Sequence, residues 1–219
     1  MRNFAIIGLG QFGKCMVETL HGRGFDTLVI DVDEAKVQWA RDLATKVVKA
    51  DVLDFPLFEE LIGDQIECAI VDLGDQMERS ILAANYLHKL HVQNIVVEAT
   101  NVAHAEILEI VGATRIVFPE KEAAVRLAGL LAGRGRLDYF PVGNGFSLVE
   151  IPSPPTWVGT TLAELNLRKK YRLNVVAVRP AAKDGTNQTW GFADPERTLQ
   201  TTDVVLLAGN TKDLEKLTR

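Results

Sequence analysis

No apolar stretch of this 219-residue chain approaches the roughly 18 residues needed to span a bilayer, which sets aside a helical membrane protein. Only two cysteines occur, Cys15 and Cys68. Both sit in apolar patterns without metal-ligand spacing, so they read as buried free thiols of a reducing cytoplasm. There is no excess of positive charge: 24 Lys/Arg against 29 Asp/Glu give a net charge of −5. A general nucleic-acid binder is therefore not expected. The four histidines, His21, His88, His91 and His104, fall on predicted helices or their ends, without a partner acid at a strand end. No Tyr-x-x-x-Lys, paired catalytic carboxylates or metal cluster is found, so the groups that an enzyme uses for acid, base or electrophilic chemistry are missing and a non-enzyme is expected. Met1-Arg2-Asn3 runs straight into a strand pattern, so no leader is expected.

The chain does contain a regular alternation. Short apolar runs of the buried-strand kind stand at 3–8, 26–31, 46–50, 68–73, 94–99 and 115–118, separated by helical patterns at 11–22, 33–43, 55–62, 76–90 and 103–111. Continuous apolar runs indicate strands covered on both faces, hence a parallel sheet. A sixth helix is predicted from Pro119, with Ala123, Ala124, Leu127, Leu130 and Leu131 as its apolar face. The remainder has a different rhythm: strands at 146–152, 174–180 and 203–209, a capped short helix from Thr161, a turn region at 181–188 and a terminal helix. Charge divides at the same place. Residues 1–133 carry 12 Lys/Arg and 20 Asp/Glu, net −8, and residues 134–219 carry 12 and 9, net +3. The fold class expected is α/β: a Rossmann-like doubly wound parallel sheet over 1–133, a hinge at 134–145 and a small α+β domain at 146–219.

Chemistry concentrates in the first strand-helix turn, Gly8-Leu9-Gly10-Gln11-Phe12-Gly13. Glycines are required where the turn is tight, where backbone approaches a phosphate and where the helix packs on the strand. The helix N-terminus offers unpaired N–H groups to the anion. Asp31 ends the next strand 18 positions after Gly13 and is placed to accept from ribose hydroxyls. Three further loops share the same carboxyl edge: Asp51 and Val52 after the third strand, Leu73, Gly74 and Asp75 after the fourth, and Glu98 at the end of the fifth. Asp51 is a candidate acceptor for an adenine amino group. Asp75 is equally well a helix N-cap, and Glu120 equally well an acid complementing a helix dipole. In the second domain Arg168, Lys169, Lys170, Arg172 and Arg179 form a basic cluster near Asn174, read either as a solvated face or as an anion site.

The runs "IIGLGQFG", "VIDVD" followed by Lys36, "VVKADVLD", "VDLGDQMERSILAA", "GATRIVFPEKEAAVRLA", "GTTLAELNLRKKYRLNVVAVRP" and "LQTTDVVLLAG" resemble the RCK family of regulators of K⁺ conductance. The resemblance covers almost the whole chain, in family order, and its single-copy length is that of the KtrA type rather than the duplicated TrkA type. It implies a cytoplasmic nucleotide-sensing subunit, peripheral to the inner face of the membrane, that dimerises through its first domain and the helix from Pro119. Such dimers assemble as an octameric ring beneath a membrane-embedded K⁺ translocating subunit of the KtrB or TrkH type. By the same resemblance Gly8, Gly10, Gln11, Phe12 and Gly13 form the phosphate turn, with Asp31, Val32 and Lys36 beside the ribose. Asp51, Val52, Leu73, Gly74, Asp75 and Glu98 complete the nucleotide site. Glu120 matches an acidic position that helps to hold a divalent cation such as Mg²⁺. Arg168, Asn174 and Val175 match positions that bind cyclic di-AMP in some members.

Two departures bear on the ligand. Many KtrA-type sequences have Arg in place of Gln11, and Lys or Arg in place of Glu98. Each charge contact at 4 Å is worth on the order of 4 kcal/mol at an effective dielectric near 20, before desolvation. A weaker preference for ATP over ADP follows, with room for NAD(H) or AMP. The other reading of the same glycine turn is an NAD(H)-dependent oxidoreductase, or a redox-sensing module without a channel partner.

Overall fold

The structure, a computed structural model, describes residues 3–132, 135, 137–180 and 189–217. The turn region read at 181–188 lies outside the described residues. The chain divides into two compact units, Met1–Pro119 and Glu120–Arg219.

In the first unit, strand and helix alternate as β1 (Phe4–Ile7), α1 (Gln11–Gly22), β2 (Thr27–Asp31), α2 (Glu34–Ala40), β3 (Lys46–Lys49) and α3 (Phe55–Ile62). They continue through β4 (Cys68–Val71), α4 (Met77–Lys89), β5 (Asn94–Glu98), α5 (Val102–Ile110) and β6 (Arg115–Val117). The six strands form one sheet in the order β3-β2-β1-β4-β5-β6, and each pairing is parallel. The strand order reverses between β1 and β4, which makes their carboxyl ends the switch point of a doubly wound sheet.

Side chains of each strand alternate between two cores. Ala5, Ile7, Ala69 and Val71 pack with Phe58, Ala84, Leu87 and Leu108 of α3, α4 and α5. Ile6, Val29 and Ile70 pack with Val17, Leu20 and Ala40 of α1 and α2. Both faces being covered explains why β1, β2 and β4 read as unbroken apolar runs. The caps are written locally: Asp33, Asp54 and Asn101 accept from first-turn N–H groups of α2, α3 and α5. At α4 the N-cap is Gln76, without a side-chain cap bond. Asp75 is thus not the cap that the sequence allowed.

The second unit contains α6 (Pro119–Ala132, entered at Glu120), β7 (Asp138–Gly143), β8 (Phe146–Pro152), α7 (Leu162–Leu165), α8 (Leu167–Tyr171), β9 (Asn174–Pro180), β10 (Gly191–Phe192), β11 (Asp203–Asn210) and α9 (Thr211–Leu217). Its antiparallel sheet runs β10-β9-β11-β8-β7. β7 forms inside the stretch expected to be a hinge. As an edge strand it tolerates Pro141, which has no N–H to give, at the cost of a register shift between Pro141 and Gly143. Arg126 of α6 holds Asp138 through a bidentate pair at 2.7 and 3.3 Å and stacks over Phe140. That hydrogen bond from Arg126 holds the Asp138 carboxyl below its ordinary range. Thr161 and Glu164 form the expected capping box on α7. Of the apolar α6 face read in the sequence, Leu130 packs against the core of the second unit, whereas Leu127 and Leu131 are 54% and 75% exposed.

One buried polar network ties α4 to the loop after β5. Thr100 N–H donates to His104 Nδ1, at 3.3 Å, so the ring proton belongs on Nε2, 2.8 Å from Ser80 Oγ. Ser80 in turn donates to the Met77 carbonyl at 2.8 Å. His104 is only 2% exposed, and burial pushes its pKa below the ordinary value. The unfolded chain therefore takes up this proton first. The contribution of neutral His104 is complete above about pH 6.5 and is lost as the pH falls from there toward the lowered folded value. Urea midpoints between about pH 7.5 and 5.5 are expected to fall for the native chain and to fall less for His104→Gln.

A second test separates two glycines of the same turn and helix. Gly8 has φ +88°, and a methyl there would run into the carbonyl oxygen of Asp72. Gly22 ends α1 with open space around it. Gly8→Ala is expected to cost about 2–4 kcal/mol in denaturant unfolding. Gly22→Ala is expected to stabilise by about 0.5–1 kcal/mol.

Candidate nucleotide-binding site

The carboxyl ends of β1, β2 and β4 frame a cleft of about 460 Å³. A larger hollow of about 550 Å³ lies at the amino ends of β1 and β2. Only the first faces the start of α1, where unpaired backbone N–H groups give an anion a partner. The candidate site is therefore the smaller cleft.

Its floor is the glycine turn, held by two carboxylates. Asp31, 7% exposed, accepts from Leu9 N–H at 2.7 Å and from Asp33 N–H at 2.8 Å, one bond on each oxygen. Each oxygen keeps a lone pair for a ligand hydroxyl. Lys36 Nζ approaches the same carboxylate to 3.8 Å. The second carboxylate is Asp72, 3% exposed, which follows β4 and accepts from Gly13 N–H at 2.7 Å. A methyl at Gly10 would collide with both Asp72 oxygens, and a methyl at Gly13 with the Gly8 carbonyl. The glycines are thus demanded by the protein's own packing before any ligand arrives.

Of the residues singled out in the sequence, Gly8, Gly10, Asp31, Val32, Lys36, Val52, Leu73, Gly74 and Asp75 line this cleft together. Others have different work among the described residues. Phe12 packs into the α1-side core. The Gln11 amide lies 3.9 Å from Cys15 Sγ. Gly13 is engaged by Asp72, and Asp51 turns its carboxylate to Leu53 N–H at 3.0 Å and to Arg79 at 3.2 Å. Glu98 closes β5 outside the lining. Glu120 belongs to the first turn of α6 in the second unit, and no group of three or more His, Cys, Asp or Glu among the described residues is arranged to hold a metal ion.

Among the lining residues that escaped the sequence reading, three are charged: Asp33, Asp72 and Arg79. Asp72 had a visible signal, since "AIVD" ends in an acid as "LVID" does at Asp31. Arg79 had none, because its role depends on how the first turn of α4 faces the loop carrying Asp51.

The second unit has its own hollow, about 320 Å³, bordered by Asn166, Arg168, Asn174 and Val175. Arg179, counted in the same basic cluster by sequence, is committed elsewhere. It pairs with Glu150 at 3.2 Å and stacks 5.0 Å over Trp190.

The chain matches two family models, the TrkA-N domain over residues 4–119 and the TrkA-C domain over residues 146–219. It is 35% identical over 178 residues to Ktr system potassium uptake protein C of Bacillus subtilis, covering 81% of this chain and 80% of that one. It is 30% identical to Ktr system potassium uptake protein A of the same organism, covering 98% of this chain and 95% of the relative. Among solved structures, the GsuK channel bound to NAD superposes with a TM-score of 0.66 at 17% identity. That match covers 97% of this chain but 38% of the channel chain, so it speaks for the fold alone. With both domain models in order and Ktr relatives aligned over most of their length, the chain belongs to the TrkA-N/TrkA-C family of Ktr potassium uptake proteins.

Proposed function

We propose that this chain is a nucleotide-sensing regulatory subunit of a bacterial K⁺ uptake system. The observation that carries the reading is the cleft at the β1/β4 switch point, where Asp31 braces the glycine turn and still has acceptor capacity toward a ribose. An adenine nucleotide would lie across it, its ribose at Asp31 and Val32, its base toward Val52 and Asp51, and its phosphates toward the start of α1. ATP and ADP are the ligands the family resemblance implies. NAD(H) or AMP fits the same cleft, and a GsuK structure is described as bound to NAD. Glu120 is the residue offered to a divalent cation.

The exposed apolar face of α6 supports pairing with a second copy, and assembly of dimers into an octameric ring follows from the resemblance. A ring of this kind would sit under a translocating subunit of the KtrB or TrkH type. Signalling then requires that the nucleotide bind two ring shapes with different affinity, because equal affinity shifts nothing. The hollow at Arg168, Asn174 and Val175 supports a second ligand, cyclic di-AMP, whose phosphates suit a guanidinium.

Calorimetric titration with AMP, ADP, ATP, NAD⁺ and NADH, with and without Mg²⁺, tests the first site. Binding by at least one of them is expected, and Asp31→Asn is expected to weaken it about 10- to 100-fold. No heat with any nucleotide overturns the reading, and turnover of NADH with a carbonyl substrate would replace it with the oxidoreductase. At the second site, Arg168→Ala is expected to weaken cyclic di-AMP binding about tenfold or more without changing nucleotide affinity. Unchanged cyclic di-AMP affinity removes Arg168 from that site.

A further inference from the structure

In a doubly wound sheet the second glycine of the turn is open so that a ligand's pyrophosphate can approach the backbone, and the first N–H groups of the following helix receive its charge. Here that space already contains an anion. The Asp72 carboxylate lies where a Gly10 side chain would begin, and it takes the Gly13 N–H at 2.7 Å. It is 3% exposed and borders the cleft. The bond is strong because the donor belongs to the positive end of α1 and the acceptor is ionised.

The rest of the lining adds to the effect. Asp31, Asp33, Asp72 and Asp75 supply four carboxylates, and Lys36 and Arg79 the two cations. Lys36 stands 3.8 Å from Asp31, and Arg79 is paired with Asp51 at 3.2 Å. An entering polyphosphate therefore meets excess negative charge, with its natural helix-terminus partner partly satisfied. Each added phosphate raises that repulsion, whereas adenine and ribose contacts stay the same.

We infer that Asp72 is a specificity-determining residue, an internal anion that biases this cleft toward adenine nucleotides of low net negative charge, AMP and NAD⁺, over ADP and ATP. The inference rests on the cleft being a nucleotide site. Asp72 acts by charge, not by shape. Replacing its carboxylate with the isosteric amide leaves an acceptor for Gly13 N–H and removes the repulsion.

The test is the set of Kd values for AMP, NAD⁺, ADP and ATP, measured with EDTA on the full chain and on Asp72→Asn. Affinity of the native chain is expected to fall from AMP to ADP to ATP. The ATP/AMP affinity ratio is expected to rise about tenfold in the variant, the size of one ordinary charge contact. Binding with the same ratio in both proteins overturns the role of Asp72 and leaves the nucleotide site standing. Binding of no nucleotide to either protein overturns the site itself. Should Asp72→Asn fail to fold, salt decides on the native chain. The ATP/AMP ratio must rise with ionic strength if repulsion sets it, because screening relieves the more charged ligand more. A ratio that falls with salt means the cleft attracts polyphosphate and rejects the inference.

Discussion

The close approach of β4's carboxyl end to the glycine turn sets the terms for the whole first unit. The backbone after β1 can pass at that distance only without side chains at Gly8 and Gly10, and the Asp72 carboxylate then locks the start of α1 through Gly13. The same contact fixes the helix axis relative to β1, which lets Val17 and Leu20 reach Ile6 and Val29 in the core beneath. Asp31 secures the other side of the turn through Leu9. Two buried carboxylates thus neutralise backbone donors that water would otherwise solvate, and a ligand meets a turn already in its final shape. The arrangement favours binding, since little ordering remains to be done when a ligand arrives.

The second unit is built on a different balance. Its core is one face of an antiparallel sheet closed by short helices, around Val149, Leu173, Leu199, Val205 and Leu207. Much polar work is internal: Arg197 and the Gln200 N–H satisfy Asp203, which is 1% exposed, at 3.0 and 2.9 Å. Tyr139 and Ser147 hydroxyls meet at 2.9 Å, and Ser147 meets Thr211 at 2.8 Å, joining β7, β8 and α9. Large apolar residues remain on the surface, Phe192 at 94% and Val142 at 63% exposed. Covering such surface would add to the stability of a unit of this size.

The alternation of strands and helices was legible in the sequence because a parallel sheet buried on both faces leaves continuous apolar runs, and the turn between them is marked by Gly, Asp and Asn. The capping box at Thr161 and Glu164 and the acid at Asp31 were legible for the same reason: each depends on residues close in sequence or at a fixed offset. β7 was not, since Pro141 and Gly143 read as a linker and only pairing with β8 makes them a strand. Arg179 was read with the basic cluster, yet Glu150 and Trp190, remote in the chain, claim it.

By itself the sequence determined the class of protein: a phosphate-type glycine turn followed by a ribose-type acid, and a small second domain. These follow from local spacing, which the chain carries wherever it goes. Tertiary structure decided what the turn faces. Asp72 is 59 residues from Gly13, and nothing in local spacing places its carboxylate at the helix terminus. Only the crossing from β1 through β2 and β3 back to β4 brings the two together. The physical reason is range: hydrogen bonds within a turn are written over a few residues, whereas the charge that a ligand meets is summed over whatever loops the sheet topology gathers at one edge.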